Sequence, residues 1–164
     1  MKTGRSQFRM LRREQLMDEI REDSYRDNTK LAEPTRCPKC GAVYTKGRWT
    51  WTRAPEGAAA HKCPACQRID DDLPGGYVTL KGPFLAEHRA EILNLVKARE
   101  TRAKEDHPLQ RIMAVDTSGG TVVVKTTDAH LARGIAVAVH EAFKGTLDMS
   151  YNKGENLLRA TWKR

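Results

Sequence analysis

The sequence lacks long apolar runs and the common motifs of nucleotide-binding and esterase sites. A transmembrane helix needs about 18 or more consecutive apolar residues, and no such run occurs in the 164 residues. The basic start of the chain is not followed by the apolar segment of a secretory signal. No phosphate loop, dinucleotide-binding glycine motif or G-x-S-x-G nucleophile motif is present. We therefore expect a cytoplasmic protein that does not bind membranes, is not an enzyme and has no small-molecule substrate.

The sequence is poor in aromatic residues and unbalanced in charge. Aromatic side chains make up 6% of the chain, whereas 29 Lys and Arg oppose 21 Asp and Glu, which leaves a net charge of +8. A basic protein attracts polyanions, because each neutralised phosphate releases condensed counterions. The charge favours a nucleic acid partner, although an acidic protein, a membrane surface or solubility alone would also account for it.

Only four cysteines occur, and they form two C-x2-C pairs: Cys37 with Cys40, and Cys63 with Cys66. Two such pairs separated by a hairpin-sized spacer bring four sulfurs into a tetrahedron, the arrangement that zinc takes in structural sites. Four cysteine ligands leave no open position for water, so the predicted role of a single Zn²⁺ is structural. Two disulfides or an iron–sulfur cluster are the alternatives, and a cytoplasmic protein disfavours disulfides.

The residues after the two pairs differ. Gly41 follows the first pair and suits a tight turn, whereas Gln67 follows the second pair. That difference favours a short helix at QRIDDD, as in a treble clef, over the two equivalent turns of a symmetric zinc ribbon. We expect the acidic run Asp70, Asp71 and Asp72 to be a charge cluster at the helix end, because consecutive side chains diverge too much to share an ion.

The chain divides into four parts of an α+β protein. The prediction is a basic conditional helix and linker (1–36), a zinc module (37–76), a long helix (77–108) and a ββαββ domain (109–164). The long helix loses its apolar stripe from Lys97 to Asp106, so we expect this half to project as a charged rod. The last part is predicted to form a four-stranded antiparallel sheet covered by one helix.

The helix of the ββαββ domain has the clearest pattern. Asp128 is its predicted N-cap and Gly145 its C-terminal stop. An apolar stripe at helical spacing runs between them: Leu131, Ile135, Ala138, Val139 and Ala142.

A β-hairpin around Gly47 is predicted in the segment VYTKGRWTWTR. Strand alternation over this segment groups Val43, Thr45, Trp49 and Trp51 on an aromatic face, and Tyr44, Lys46 and Arg48 on a basic face. The two tryptophans suit packing beside the metal better than base stacking. The residues predicted to contact nucleic acid are Arg5, Arg9, Arg12, Arg13, Lys46, Arg48, Lys125 and Arg159.

Three segments resemble a family of small bacterial proteins related to the zinc-binding part of the ribosomal large-subunit export adapter, which is also named for nonsense-mediated decay. These segments are CPKCGAVYTKGRWTW, CPACQRIDDDLPGGYVTLKGPFLAEHRAEILNLV and TTDAHLARGIAVAVHEAFKGTLDMSY. The resemblance implies zinc binding and an association with ribosomes or RNA, and it implies no catalytic residues. The chain has one set of paired motifs and no room for the additional β-rich domains of the adapter.

Two functions are predicted from these features. The first is an RNA-binding or ribosome-associated accessory protein, in which zinc holds the basic hairpin. The second is a protein–protein adapter that docks through its N-terminal and long helices and has no direct role with RNA.

Overall fold

The computed structural model describes Tyr25 and residues 30–152 and 154–164. Within these residues the chain is α+β, with three helices and two mixed sheets. The helices are α1 (Pro64–Asp71), α2 (Pro83–Asp106) and α3 (Ala129–Phe143). None of these helices has the length and apolar character needed to cross a membrane. Apart from Tyr25, the predicted N-terminal helix lies outside the described residues, and so do four arginines predicted to contact phosphates: Arg5, Arg9, Arg12 and Arg13.

The first sheet is small and contains the predicted hairpin. Its strands are β1 (Thr35–Arg36), β2 (Val43–Thr45), β3 (Arg48–Thr50) and β4 (Ala59–Ala60), in the order β3-β2-β1-β4. Strand β1 is antiparallel to β2 and parallel to β4. A two-residue turn joins β2 to β3, with φ of 52° at Lys46 and 75° at Gly47. Two positive φ values suit the right-handed twist of a hairpin, and they explain the glycine in the turn.

The predicted division of this hairpin into an aromatic and a basic face is wrong. Tyr44 lies directly opposite Trp49, and Thr45 lies opposite Arg48. Residues directly opposite in antiparallel strands share a face, so the two-residue turn places Tyr44 with Trp49. Their rings pack with centroids 5.5 Å apart and planes tilted by 59°. A single alternation through residues 43–51 assigns the wrong faces, because the two-residue turn interrupts it.

The second sheet has five strands, not the predicted four. Its strands are β5 (Gly76–Lys81), β6 (Ile112–Ser118), β7 (Thr121–Thr126), β8 (Thr146–Asn152) and β9 (Leu157–Lys163), in the order β6-β7-β5-β9-β8. The two predicted hairpins form, but β5 lies between them, antiparallel to β7 and parallel to β9. The prediction of a purely antiparallel sheet within residues 109–164 is therefore wrong.

Strand β5, at the centre of the sheet, has one buried face and one accessible face. Val78 and Leu80 are fully buried against the helices, while Tyr77 and Thr79 alternate with them and are half-buried. Full burial of one such aliphatic side chain contributes about 1.5–3 kcal/mol. Helices α2 and α3 pack on the face of Val78 and Leu80. We call the opposite face, which carries Tyr77, the open face of the sheet.

Helix α3 follows its predicted pattern closely. The Asp128 carboxylate accepts a hydrogen bond from the backbone N–H of Leu131 at 2.8 Å, as an N-cap does. Ile135 and Val139 are fully buried, although Ala142, at the end of the predicted stripe, is exposed. The helix ends at Phe143, and Gly145 follows it with φ of 88°. The predicted cap and stop are both confirmed.

The second half of α2 does not project as a charged rod, which corrects the prediction. Ala103, within this half, is partly buried and packs against the main core. The Glu100 carboxylate accepts a hydrogen bond from the backbone N–H of Ile112 at 2.7 Å, and the carbonyl of Lys104 accepts one from the Trp51 indole at 2.6 Å. Packing through polar groups requires no apolar stripe, so the sequence does not indicate that this half of α2 contacts other elements.

Gly76 lets α3 approach the sheet closely. A Cβ atom at this position would lie 2.4 Å from the Cβ of Ala132 and 2.9 Å from the hydroxyl of Thr126. The first distance is far below van der Waals contact, so a side chain here would push the helix away from β5. Gly76 therefore begins the central strand, although the sequence indicates only a break after Pro74.

We expect Gly76→Ala to lower stability by about 1–3 kcal/mol, as overpacking of a core does. Gly134→Ala is the matched control, because it adds a methyl group within α3 that meets only the flexible end of Arg99 at 3.3 Å. The control should be neutral or stabilising, since alanine favours a helix by about 1 kcal/mol over glycine. Thermal unfolding of both variants measures the difference, and an unchanged midpoint for Gly76→Ala would contradict this account of the packing.

Candidate metal centre

The first cysteine pair lies in a tight turn after β1. The backbone N–H of Gly41 donates to the carbonyl of Cys37 at 3.0 Å, and the N–H of Cys37 donates to the carbonyl of Ala42 at 2.8 Å. Gly41 has a φ of 81°, a conformation that glycine adopts without strain. The predicted need for glycine after the first pair is confirmed, and the turn directs Cys37 and Cys40 to the same side.

The second cysteine pair begins a helix, as the absence of glycine had indicated. Cys63 is the N-cap of α1, and its sulfur accepts a hydrogen bond from the backbone N–H of Cys66 at 3.4 Å. Pro64 is the first helical residue, where its missing N–H has no cost. The positive end of the helix dipole lies at these sulfurs, which favours the thiolate form.

The two pairs meet in one cluster, which we call the sulfur cage. Ligand atoms of Cys37, Cys40, Cys63 and Cys66 all lie within 4.8 Å of one another. The sulfurs of Cys40 and Cys63 are 3.8 Å apart, whereas disulfide sulfurs are about 2.05 Å apart. A tetrahedral ion with metal–sulfur bonds of about 2.3 Å separates neighbouring sulfurs by about 3.8 Å. The cage is therefore made of free cysteines that can hold one metal ion.

Burial makes the cage dependent on a positive charge. It raises the pKa of the Cys63 and Cys66 thiols, because a buried thiolate loses its hydration. Burial also opposes ionisation of Cys37, but hydrogen bonds from the backbone N–H groups of Cys63 and Cys40 outweigh it and lower the pKa of Cys37 to about 6. Four adjacent thiolates could form here only with a cation among them, which is what a metal ion supplies.

Arg111 supplies a second positive charge and was not predicted from the sequence. Its guanidinium donates hydrogen bonds to the sulfur of Cys63 at 3.1 Å and to that of Cys66 at 3.5 Å, and lies 3.8 Å from that of Cys40. The side chain is 9% exposed, and no carboxylate among the described residues forms an ion pair with it. A buried charge needs a partner, so Arg111 indicates that the sulfurs carry negative charge.

No signal in the sequence could have identified Arg111. It lies 45 residues after Cys66, just before β6, in a chain with many arginines. Its position depends on the fold, because the backbone N–H of Arg111 donates to the hydroxyl of Thr127 at 2.9 Å and thereby ties the residue to the end of β7. Arg111 thus joins the sulfur cage to the five-stranded sheet.

The cage has little apolar core of its own. Its buried apolar neighbours are Ala42, Trp49 and Ala65, and Leu109 packs against them from the chain before β6. Trp49 is 9% exposed, which confirms the predicted packing role, whereas Trp51 is 39% exposed and donates its indole N–H to α2. A core this small cannot stabilise a module alone, so metal binding must contribute much of its stability.

The acidic run at the end of α1 forms the expected charge cluster. The Asp70 carboxylate is hydrogen-bonded by Lys39 and Lys62, the lysines beside the two cysteine pairs. These hydrogen bonds lower the pKa of Asp70. Asp72 ends the helix with φ of 50° and lies 3.8 Å from the ammonium of Lys125. Asp70 therefore binds lysines that flank the sulfur cage and links the two cysteine pairs at the surface.

Four of the residues predicted to contact nucleic acid are described by the structure, and they fall into two groups. Lys46 and Arg48 are exposed around the hairpin turn, whose backbone N–H groups at Lys46 and Gly47 donate to the Glu33 carboxylate at 2.9 and 3.0 Å. Lys125 and Arg159 lie on the open face of the sheet. They stand on either side of Tyr77, in register with it on the two neighbouring strands. Sequence reasoning had not included Tyr77.

Comparison of the chain with protein families, with curated proteins and with solved structures finds no match.

We expect metal removal by a chelator, or the substitution Cys63→Ser, to unfold the part of the chain that contains the sulfur cage. Structural zinc in small modules binds with about 10–16 kcal/mol at neutral pH, and this free energy maintains the fold. Near-UV circular dichroism should lose the Trp49 signal, and elemental analysis of the native protein should find one metal ion per chain. His61→Ala is the control, because His61 is not part of the cage, and it should keep the metal. A native spectrum after chelation would contradict the structural role.

We expect Arg111→Met to weaken metal binding by about 10- to 100-fold, as removal of a group that supports metal ligands does. Arg111→Lys keeps the charge but not the planar fork that reaches several sulfurs, so its effect should be intermediate. Arg133→Met, on α3, removes the same charge away from the cage and is the control. Competition with a metal-binding dye measures the affinities. Equal affinities for the wild type and Arg111→Met would show that the guanidinium does not support the cage.

Proposed function

We propose that this protein is an RNA-binding or ribosome-associated accessory protein of the cytoplasm, with one structural Zn²⁺. The proposal gives it no catalytic role. The observation that carries it is the group of cations on the open face of the five-stranded sheet, which are Lys81, Lys125, Arg159 and Lys163. The net charge of +8 and the exposed side chains of Lys46 and Arg48 support it as well.

Two lysines of the open face lie close together in a way that disfavours the free protein. Lys81 and Lys163 are directly opposite each other on adjacent parallel strands, and both are exposed. Like charges in this position are destabilising. Lys125 and Arg159 lie near the other end of the same face. A bound polyanion would relieve the repulsion between the lysines, so the arrangement favours a phosphate backbone as partner.

Zinc is the metal that best suits the sulfur cage. A closed set of four cysteine ligands is typical of structural zinc, which needs no open position and has no redox chemistry. The order of elements also supports this choice. A turn carries Cys37 and Cys40, a hairpin follows it, and α1 carries Cys63 and Cys66. We infer that the module is a treble clef and not a symmetric zinc ribbon.

The resemblance of the cysteine segments to small bacterial relatives of the ribosomal export adapter supports the ribosome as the place of action. The alternative of an adapter without a direct RNA role gains no support from α2, because the second half of this helix packs against Trp51 and Ile112. The alternative remains a distinct outcome of the following experiment.

We expect the tagged protein to recover RNA or ribosomal proteins from cells, and nuclease or high salt to release them. The double variant Lys125→Gln with Arg159→Gln should reduce the slope of log affinity against log salt by about 1.4 for single-stranded RNA, since each lost phosphate contact contributes about 0.7. Lys97→Gln with Arg102→Gln removes the same charge from exposed positions of α2 and should change the slope less. A single protein partner that survives nuclease and salt would support the adapter function instead.

A further inference from the structure

Tyr77 lies on the central strand of the sheet, near one end of the open face, with a cation on each side. It is opposite Lys125 on β7 and beside Arg159 on β9. The guanidinium carbon of Arg159 is 5.9 Å from the centre of the Tyr77 ring, within the range of a cation–π interaction. The ring is half-buried, so part of its surface remains accessible from the open face. The three residues form a row across the middle strands of the sheet.

We propose that the row of Lys125, Tyr77 and Arg159 binds single-stranded RNA, with an unpaired base stacked on Tyr77 and the flanking phosphates held by the two cations. This inference rests on the proposed function and identifies the form of RNA and the site that binds it. An aromatic ring on an open sheet is a platform on which any base can stack, whereas bases within a duplex are already stacked on their neighbours. An acidic protein would form ion pairs with the cations but has no base to stack on the ring.

The open face continues from this row toward the opposite end of the strands. Thr79 and Thr161 are adjacent on β5 and β9, and the next pair beyond them is Lys81 with Lys163. Lys81 lies four positions after Tyr77 along the strand, a distance of about 13 Å. The face therefore offers a ring, then hydroxyl groups, then a second pair of cations. This order suits an extended strand of RNA that runs parallel to β5.

Both flanking cations already have exposed carboxylate neighbours. The Lys125 ammonium is 3.7 Å from the Asp116 carboxylate and 3.8 Å from that of Asp72, and Arg159 is 3.3 Å from the Glu155 carboxylate. Ion pairs open to water contribute little stability, because solvent screens the charges. A phosphate can replace these carboxylates.

The test uses the full-length protein in its metal-bound form and two fluorescently labelled RNAs, an unstructured uridine-rich oligonucleotide and a perfect duplex of equal length. Anisotropy titrations should show tighter binding of the single strand. Tyr77→Leu should weaken that binding by about 5- to 150-fold, the range found for loss of base stacking, and should leave duplex binding unchanged. Tyr77→Phe keeps the ring and should bind as the wild type does. Thr101→Ala, at an exposed position of α2, which covers the other face of the sheet, is a control away from the row.

The outcomes separate this inference from the proposed function. If the wild type binds RNA but Tyr77→Leu binds the single strand equally well, or if the duplex binds as tightly as the single strand, the inference is overturned and the proposed function stands. If the wild type binds neither RNA, the inference is overturned, and the recovery of ribosomal proteins from cells decides the proposed function. Ultraviolet crosslinking of the wild type avoids any folding defect of the variants. The crosslinked peptide should contain Tyr77, and crosslinks confined to the hairpin of Lys46 and Arg48 would also overturn the inference.

Discussion

The sulfur cage and the guanidinium of Arg111 form the interaction on which the arrangement of this protein depends. Burial raises the pKa of Cys63 and Cys66, so the sulfurs hold negative charge only when positive charge lies among or beside them. A metal ion would supply most of that charge from within, and Arg111 supplies more from outside. Since Arg111 belongs to the chain that enters the five-stranded sheet, charge compensation at the cage also attaches the small module to the larger one.

Other contacts reinforce this attachment. Leu109 packs against the small core around the cage, and Trp51 donates its indole N–H to the backbone of α2. Asp72, at the end of α1, reaches Lys125 on the open face. The part of the chain that carries the cage is therefore joined to the sheet by a buried charge contact, an apolar contact and surface hydrogen bonds or ion pairs. Metal binding should thus affect the sheet and its cations as well as the hairpin.

The open face explains how a protein with few aromatic residues could bind RNA through a sheet. Only the central strand β5 needs to supply a ring, because β7 and β9 place a cation on each side of it. The helices α2 and α3 cover the other face and hold the strands in register through Val78 and Leu80. In our proposal, the fold keeps one side of the sheet for stability and the other for the ligand.

Local patterns in the sequence determined those features that depend on neighbouring residues. The spacing of the cysteines predicted a common site, Gly41 and Gln67 predicted different structures after the two pairs, and Asp128 and Gly145 marked the ends of α3. Each of these signals acts within a few residues, through a turn, a cap or a helical period. The hairpin around Gly47 was predicted for the same reason, but its two-residue turn changed which side chains share a face.

Only the tertiary structure decided which distant segments meet. The sequence YVTL in β5 suits a strand, yet nothing local shows that it lies between two hairpins formed by residues more than 30 positions later in the chain. Likewise, Arg111 is one arginine among many until the end of β7 positions it beside the sulfurs. Strand pairing and charge compensation act through space, so the central strand, the row around Tyr77 and the partner of the sulfur cage follow from the folded chain alone.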